Sequence, residues 1–407
     1  MLPLSDITRQ MKTPGPAWLL RAAWPMVLAV AVGLLMMFGV APLVGGFVSN
    51  LLIFIGINII LAVSLTVVNG FTGQFSLGHA GFMAVGGYVA AGIVYYGSMR
   101  LWGSADFAGG LLSWTGAGER PALFAKGDLL FVFSCLVGGL AAAGAGYVVG
   151  LPSLRLRGDY LAIVTLGFGE IVRVILQGTN DQIQPWRAEQ AQQTPAWELA
   201  WALGGPKGFN LLPTYGTLFW VFFWTAITVI VAFRLKASST GRAFLSIRED
   251  EIAARAMGVD LTRYKVRAFV LSSFFAGVAG ALYAMQIGAI SAGDLNFVRS
   301  FDVVIMVVLG GLGSISGAAL AAILLTVLPE VLRDPAGFAG LWPWVVGTGV
   351  AFIGAGVWLL RTGKAQDRFT HLPKGLIFTG GAVLAFLGVC ALAAWQEWDL
   401  GKYRLII

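Results

Sequence analysis

Apolar runs of about 20 residues recur along almost the whole chain, and this recurrence restricts the fold more than any other feature. A helix of about 20 predominantly apolar residues is long enough to cross a bilayer. The sequence therefore predicts an all-α, polytopic transmembrane helix bundle of about 10–12 spans. The run at 303–309 is too short to cross alone and must extend upstream or into the following glycines. The candidate spans are 24–43, 48–68, 80–96, 129–151, 160–176, 217–233, 268–287, 303–309, 318–332, 342–360 and 376–395.

Composition agrees with a membrane protein and excludes other classes. Hydrophobic residues make up 57% of the 407 residues and charged residues 12%, whereas soluble domains carry about 25% charged residues. This composition excludes a disordered chain and argues against a soluble enzyme. The net charge of +7 fits Lys and Arg collected in cytoplasmic loops rather than binding to nucleic acid. Two cysteines and two distant histidines predict neither a disulfide framework nor a metal site.

The positions of Lys and Arg predict the orientation. The tail at 1–23 carries three basic residues and is expected to be cytoplasmic, because positive charge collects on that side. Alternation then places the basic loops at 153–159, 238–266 and 361–374 inside. The loops at 98–128 and 177–215 fall outside, and the first of these fits the rule least well.

Two glycine-rich segments interrupt the apolar runs, and both contain the pattern G-x-x-G-x-x-S, at 70–76 and 310–316. Irregular backbone at membrane depth is tolerated only where protein or a water-filled cavity covers it. Paired interruptions therefore indicate broken or re-entrant segments and an internal repeat around a transport pathway. Ordinary glycine-mediated helix packing is the alternative. The pathway candidates in the two segments are Gly73, Gln74, Ser76, His79, Gly310, Gly313 and Ser316.

Charged and aromatic side chains inside the predicted spans are further candidates. Glu170 and Arg173 are three residues apart on one helix face, which predicts either a pathway pair or a structural ion pair. His79 is predicted to cap or hydrogen-bond the first broken segment. The aromatic residues of the 217–233 span are expected to face lipid and the interface; they are Phe219, Trp220, Phe222, Phe223 and Trp224.

The cytoplasmic loop at 236–266 contains a short predicted helix, from Glu249 to Met257 with Gly258 as its C-cap. Alanines give this helix a flat face, and such a face can lie in a groove on a partner. A solvated juxtamembrane helix is the alternative. The residues chosen for docking are Arg248, Glu251, Ala253, Ala254, Arg255 and Gly258, with Glu251, Ala254 and Gly258 on one face. The sequence has no P-loop, so any ATP that drives the protein must bind to another subunit.

Several motifs together resemble one family. Residues 251–258 (EIAARAMG) resemble the coupling-helix motif of bacterial ATP-binding-cassette importer permeases. More narrowly, 73–82, 154–160, 165–173 and 308–314 are similar to the branched-chain amino-acid permeases, a group that includes urea and short-chain amide permeases. The resemblance runs from about Asn50 to about Arg333.

The resemblance implies a transport subunit of a bacterial inner membrane, without an enzymatic site of its own. Its expected partners are a second permease, two ATPases and a periplasmic binding protein, and the ATPases would bind ATP and Mg²⁺. The permease domain is predicted at 24–333. Residues 334–398 add a pair of apolar runs of unassigned role, and 399–407 look like the start of a final span that is cut short. A urea or short-chain amide permease is the first alternative, and a secondary transporter acting alone is the second. A membrane enzyme would need a set of catalytic residues that the sequence does not show.

Overall fold

The computed structural model describes residues 16–113, 124–153 and 159–333. Within these ranges the chain is helical and contains no strand, only an isolated bridge between Phe209 and Ile290. The all-α fold predicted from the apolar runs is confirmed. The first fifteen residues, the predicted spans at 342–360 and 376–395 and the segment 399–407 lie outside the described residues.

The described α-helices are numbered in chain order. They are α1 (Pro16–Leu34), α2 (Gly46–Leu65), α3 (His79–Trp102), α4 (Lys126–Ser153), α5 (Asp159–Gln177), α6 (Ala188–Gln193), α7 (Ala196–Leu199), α8 (Leu218–Ala237), α9 (Ser239–Glu249), α10 (Glu251–Ala256), α11 (Leu261–Ile287), α12 (Phe297–Leu309) and α13 (Ile315–Arg333). Helix α1 continues through a π-turn, Leu35–Val40, and α2 through another, Thr66–Phe71.

In the described part of the chain, eight helical runs are long and apolar enough to cross a membrane. They match the predicted spans between residues 24 and 332 apart from 303–309. That exception belongs to α12, which has 13 residues and is therefore about 20 Å long. Since the hydrocarbon core is about 30 Å thick, α12 crosses only part of it.

Helix α11 lies at the centre of the bundle and packs against α4, α3 and α2. Glycines make these contacts close. A Cβ on Gly86 of α3 would lie 2.2 Å from the Cα of Gly277 in α11, and one on Gly280 would lie 2.0 Å from the carbonyl oxygen of Met83. Small residues at such crossings let helix backbones approach closely, which is how membrane helices associate without a hydrophobic driving force.

Contacts between helix ends show which ends share a side of the bundle. The Arg234 guanidinium, near the end of α8, lies 5.8 Å from the ring of Trp24, the first residue of the apolar span Trp24–Leu43. The Lys236 ammonium lies 5.7 Å from the ring of Phe71, at the end of the π-turn after α2. The start of the span Trp24–Leu43, the end of the α2 run and the end of α8 are therefore on one side, as the alternation of spans requires.

The prediction that the aromatic cluster of α8 faces lipid is wrong for four of its five members. Phe219, Trp220, Phe223 and Trp224 are buried. Trp220 donates its indole N–H to the Ser113 hydroxyl at 2.8 Å. These rings pack on one another and are covered by neighbouring segments. Their spacing in the sequence alone did not show that they face protein rather than lipid.

The sites described below lie in the first of two compact units, Met1–Ile323. The described residues of the second unit are the end of α13, where Arg333 pairs with Glu330 at 3.0 Å.

Candidate functional site

The loop between α8 and α11 folds as two short helices, each begun by a side-chain cap. The Ser238 hydroxyl accepts the backbone N–H of Gly241 at 3.1 Å and starts α9. One Asp250 oxygen accepts the N–H groups of Ile252 and Ala253 at 2.7 and 3.1 Å and starts α10. Such caps satisfy the free donors of a helix start. They explain why the loop contains a separate α9, which the sequence analysis missed.

One face of α10 packs against the rest of the chain. Ala254 is buried in a small cluster with Ile247 of α9 and Leu261 of α11. The Glu251 carboxylate accepts a hydrogen bond from the Lys265 ammonium at 2.6 Å, and the Lys265 side chain is only 5% exposed. Two of the six residues chosen for docking, Glu251 and Ala254, therefore hold α10 to its own chain. The docking role of the six residues stays a prediction.

The opposite face of α10 is open. Ile252 is 75% exposed and Met257 is 84% exposed; Ala253, Arg255 and Gly258 are exposed as well. A groove of about 510 Å³ runs between α9 and α10. We call Ile252, Ala253, Arg255, Met257 and Gly258 the outer face of α10. Exposed apolar side chains beside a groove are typical of surfaces that bind another protein.

Arg248, at the end of α9, links this loop to the bundle. Its guanidinium donates a hydrogen bond to the carbonyl oxygen of Gly70 at 2.9 Å. Gly73 lies under the same side chain: a Cβ there would be 3.2 Å from the Arg248 Cγ, and its φ of +68° also favours glycine. The first glycine segment, residues 69–79, is therefore in direct contact with the loop.

The second glycine segment, residues 310–317, meets the first at the same place. A Cβ on Gly70 would lie 2.5 Å from the backbone nitrogen of Gly313, so the two main chains touch. The Lys236 ammonium donates to the carbonyl oxygen of Gly313 at 2.8 Å. We call this contact of Gly70, Gly313, Arg248 and Lys236 the glycine junction. The sequence indicated the two segments as a pair but did not show that they touch.

The two segments differ in detail. The second is a tight turn, in which Gly310 packs directly on Gly317 and the Ser314 hydroxyl accepts the Gly317 N–H at 3.1 Å. Ser316 is exposed in α13. The first segment is extended and returns into the bundle. There Gln74 and Ser76 are buried, and the Asn69 side chain accepts the Ser76 N–H at 3.2 Å.

The extended segment brings His79 back to the level of Ser64 in α2. The His79 Nε2 and the Ser64 hydroxyl are 3.0 Å apart, and both side chains are buried. The N–H of Ala80 donates to the Ser300 hydroxyl of α12 at 3.0 Å. Residues 72–78 therefore lie beside the last two turns of the α2 run, covered by protein, as irregular backbone in a membrane requires.

Helix α12 reaches from the interior to the glycine junction. Near its start the Arg299 guanidinium donates to the Asn58 side-chain oxygen at 2.8 Å, well inside the span of α2. Its C-terminus leads into Gly310. Helix α12 is therefore a half-length helix whose end is fixed beside Arg248.

Glu170 and Arg173 form an ion pair within α5. The Arg173 Nε lies 2.6 Å from a Glu170 oxygen, and the two side chains are 30% and 33% exposed. Arg173 also donates to the Gln177 side chain at 3.4 Å. These contacts stay on one helix and do not join the glycine junction, and a pathway role for the pair stays a prediction.

One family of membrane permeases matches most of this chain. The family model described as "Branched-chain amino acid transport system / permease component" matches residues 47–355. The chain belongs to this permease family. The match extends beyond Arg333, where the resemblance of the motifs ends. No solved structure matches the chain.

Named relatives of this permease include the high-affinity branched-chain amino acid transport system permease protein LivM of Escherichia coli strain K12, 36% identical over 293 residues. LivM of Salmonella typhimurium is 37% identical over 313 residues. In both cases the alignment covers 68% of this chain and 62% of the relative, so the chain spans less than two thirds of their length. LivH of Salmonella typhimurium is 29% identical over 128 residues, 31% of this chain and 41% of the relative.

Proposed function

We propose that this chain is the permease subunit of an ATP-driven importer of branched-chain amino acids in a bacterial inner membrane. The names of the LivM relatives support this substrate class. In this proposal two separate ATPases bind ATP and Mg²⁺, a second permease subunit completes the membrane part, and a periplasmic protein delivers the substrate. The loop with α9 and α10, and the N-terminal tail, are cytoplasmic.

The glycine junction is the observation that carries the proposal. A soluble ATPase can push only on what protrudes from the membrane. The outer face of α10 protrudes, and Arg248, three residues before the first residue of α10, binds Gly70 at 2.9 Å. Gly70 touches Gly313. When the loop moves, the Arg248 side chain can therefore transmit the movement to both glycine segments by direct contact.

Docking of the ATPase uses the outer face of α10 rather than the face that carries Glu251 and Ala254. Ile252 and Met257 supply exposed apolar area, and Arg255 supplies charge. Buried apolar anchors of this kind dominate protein interfaces. Gly258 ends the helix with φ of +84°, so Gly258→Arg would strain the backbone whether or not a partner binds. Substitutions at Met257 and Ile252 test docking without that strain.

The test is reconstitution of the five-component system in proteoliposomes with Ile252→Asp and Met257→Asp variants. Both should fold, because the altered side chains are exposed. We expect ATPase co-purification and leucine uptake to fall at least about tenfold, since a charge replaces an apolar anchor. Met257→Leu is the matched control and should retain both. Undiminished uptake in the aspartate variants, or uptake by the chain alone driven by an ion gradient, would overturn the proposal.

A further inference from the structure

A second groove lies on the membrane-facing surface of the bundle, between α4 and α11. Its volume is about 620 Å³, and its walls are almost entirely apolar. Leu140 and Tyr147 of α4 form one wall, and both are about half exposed or more. Leu271 and Phe274 of α11 form part of the other. The loop helices and the glycine junction take no part in it, so this groove is separate from the site described above.

Close helix packing forms the floor of this groove. A Cβ on Gly146 of α4 would lie 2.2 Å from the Ser273 hydroxyl, and one on Gly139 would lie 2.8 Å from the Phe274 ring. The two helices therefore touch along their length, and the larger side chains on either side stand away from the contact line. The result is a channel open to the bilayer and parallel to the helices.

One end of the channel is basic. Arg263 and Arg267 line it, and both are exposed. They are four residues apart and so stand on one face of α11. The face continues inward with Val270, Leu271 and Phe274. The Arg267 guanidinium lies 5.5 Å from the Tyr264 ring. Among the residues whose side chains the structure describes, no carboxylate is within ion-pair distance of either arginine.

We propose that this groove binds an anionic phospholipid. The phosphate lies against Arg263 and Arg267, and an acyl chain lies between Leu140, Tyr147 and Phe274. Two features of the groove support this assignment. Two neighbouring arginines lie at the end near the membrane surface, and an apolar channel lies directly below them. Basic pockets between membrane helices at the membrane surface bind anionic headgroups. A neutral lipid would satisfy the channel and leave the arginine pair without a counter-charge.

The first experiment is native mass spectrometry of the purified chain released from detergent with added phosphatidylglycerol or phosphatidylcholine. We expect retained phosphatidylglycerol and little phosphatidylcholine. Arg263→Gln should weaken phosphatidylglycerol binding about fivefold, and Arg263→Gln with Arg267→Gln about thirtyfold. The control is Arg187→Gln with Lys207→Gln, which removes the same charge from an exposed loop at the other side and should leave binding unchanged. Equal retention of both lipids, or an equal loss in the control, would overturn the proposal.

The second experiment needs no variant. The unaltered chain is incorporated in nanodiscs with phosphatidylglycerol that carries a photoactivated diazirine in its acyl chain, and the labelled peptides are identified. Labels should concentrate on the peptides that contain Tyr147 and Phe274. Labels spread evenly over the exposed helices, or absent from these peptides, would contradict the assignment. Neither experiment measures transport, so its outcome is independent of the proposed import function.

Discussion

Arg248 places one guanidinium against the main chain of two segments that are far apart in sequence. It donates to Gly70 at 2.9 Å, and a Cβ on Gly313 would lie 2.8 Å from its Nη1. Its side chain is 37% exposed, so it reaches into the bundle from the surface. A single residue therefore connects the protruding loop with the ends of both α2 and α12.

We predict that Arg248→Ala separates ATP hydrolysis from transport. The outer face of α10 is unchanged by this substitution, so the ATPases should still bind and hydrolyse ATP. The link to Gly70 is lost, so uptake should fall about tenfold or more. Both rates are measured in the same proteoliposomes. Arg187→Ala, in an exposed loop at the other side, is the control and should leave the ratio of uptake to hydrolysis unaltered. A proportional decrease of both rates would argue for a purely structural role.

Gly70 and Gly144 provide a matched pair for testing the contact of the two main chains. A Cβ on Gly70 would lie 2.5 Å from the Gly313 nitrogen, whereas a Cβ on Gly144 meets nothing within 4 Å. Gly70→Ala should cost about 1–3 kcal/mol of stability by overpacking. Gly144→Ala should be neutral or stabilising by about 0.5–1 kcal/mol, because alanine favours the helix. Thermal unfolding in detergent measures both, and equal midpoints would contradict the close contact.

At the scale of elements, α10 is held by an ion pair whose two members have different surroundings. The Lys265 side chain is 5% exposed and that of Glu251 is 32% exposed. Removing one partner of a buried pair leaves an uncompensated charge, and the cost rises with burial. Removing the Glu251 carboxylate should therefore destabilise α10 more than removing the Lys265 ammonium does.

We predict that Glu251→Gln loosens α10 more than Lys265→Met does. The first substitution strands a buried ammonium, whereas the second leaves a carboxylate that water can reach. Hydrogen exchange of residues 250–260 measures the effect and should be fastest in Glu251→Gln. Combining both changes should restore part of the protection, because no unpaired charge is left. Faster exchange in the double variant than in Glu251→Gln would show that the pair does not act as described.

The sequence predicted the membrane-spanning helices and their order well, because each of them is a run of mostly apolar residues. It predicted a short helix near residues 249–257 from a different signal, the alanines followed by Gly258 as a C-cap. It did not predict which face of α10 is buried, since spacing shows which residues share a face but not where the face points. Ile247 and Leu261, on two other helices, decide that. The contact of Gly70 with Gly313 was not predicted either, because glycine has no side chain whose chemistry could identify a partner.

At the scale of the whole molecule, the shared side of the helix ends gives a testable topology. Arg255 belongs to the loop that meets the end of α2, and Lys207 lies in the long connection before α8. With both native cysteines replaced, Arg255→Cys should react with a membrane-impermeant maleimide only in inside-out vesicles. Lys207→Cys should react only in right-side-out cells. Labelling of Arg255→Cys from outside would remove the basis for an ATPase acting on this loop.

The hydrogen bonds of the glycine junction should be insensitive to ionic strength. Arg248 and Lys236 both donate to neutral carbonyl oxygens, at 2.9 and 2.8 Å. Even at 1 M salt the screening length is about 3 Å, so these short charge–dipole contacts persist when longer-range attraction between separate subunits has faded. Concentrated salt should therefore leave the internal connection of this chain intact, and it should weaken only those contacts with other subunits that depend on long-range charge attraction.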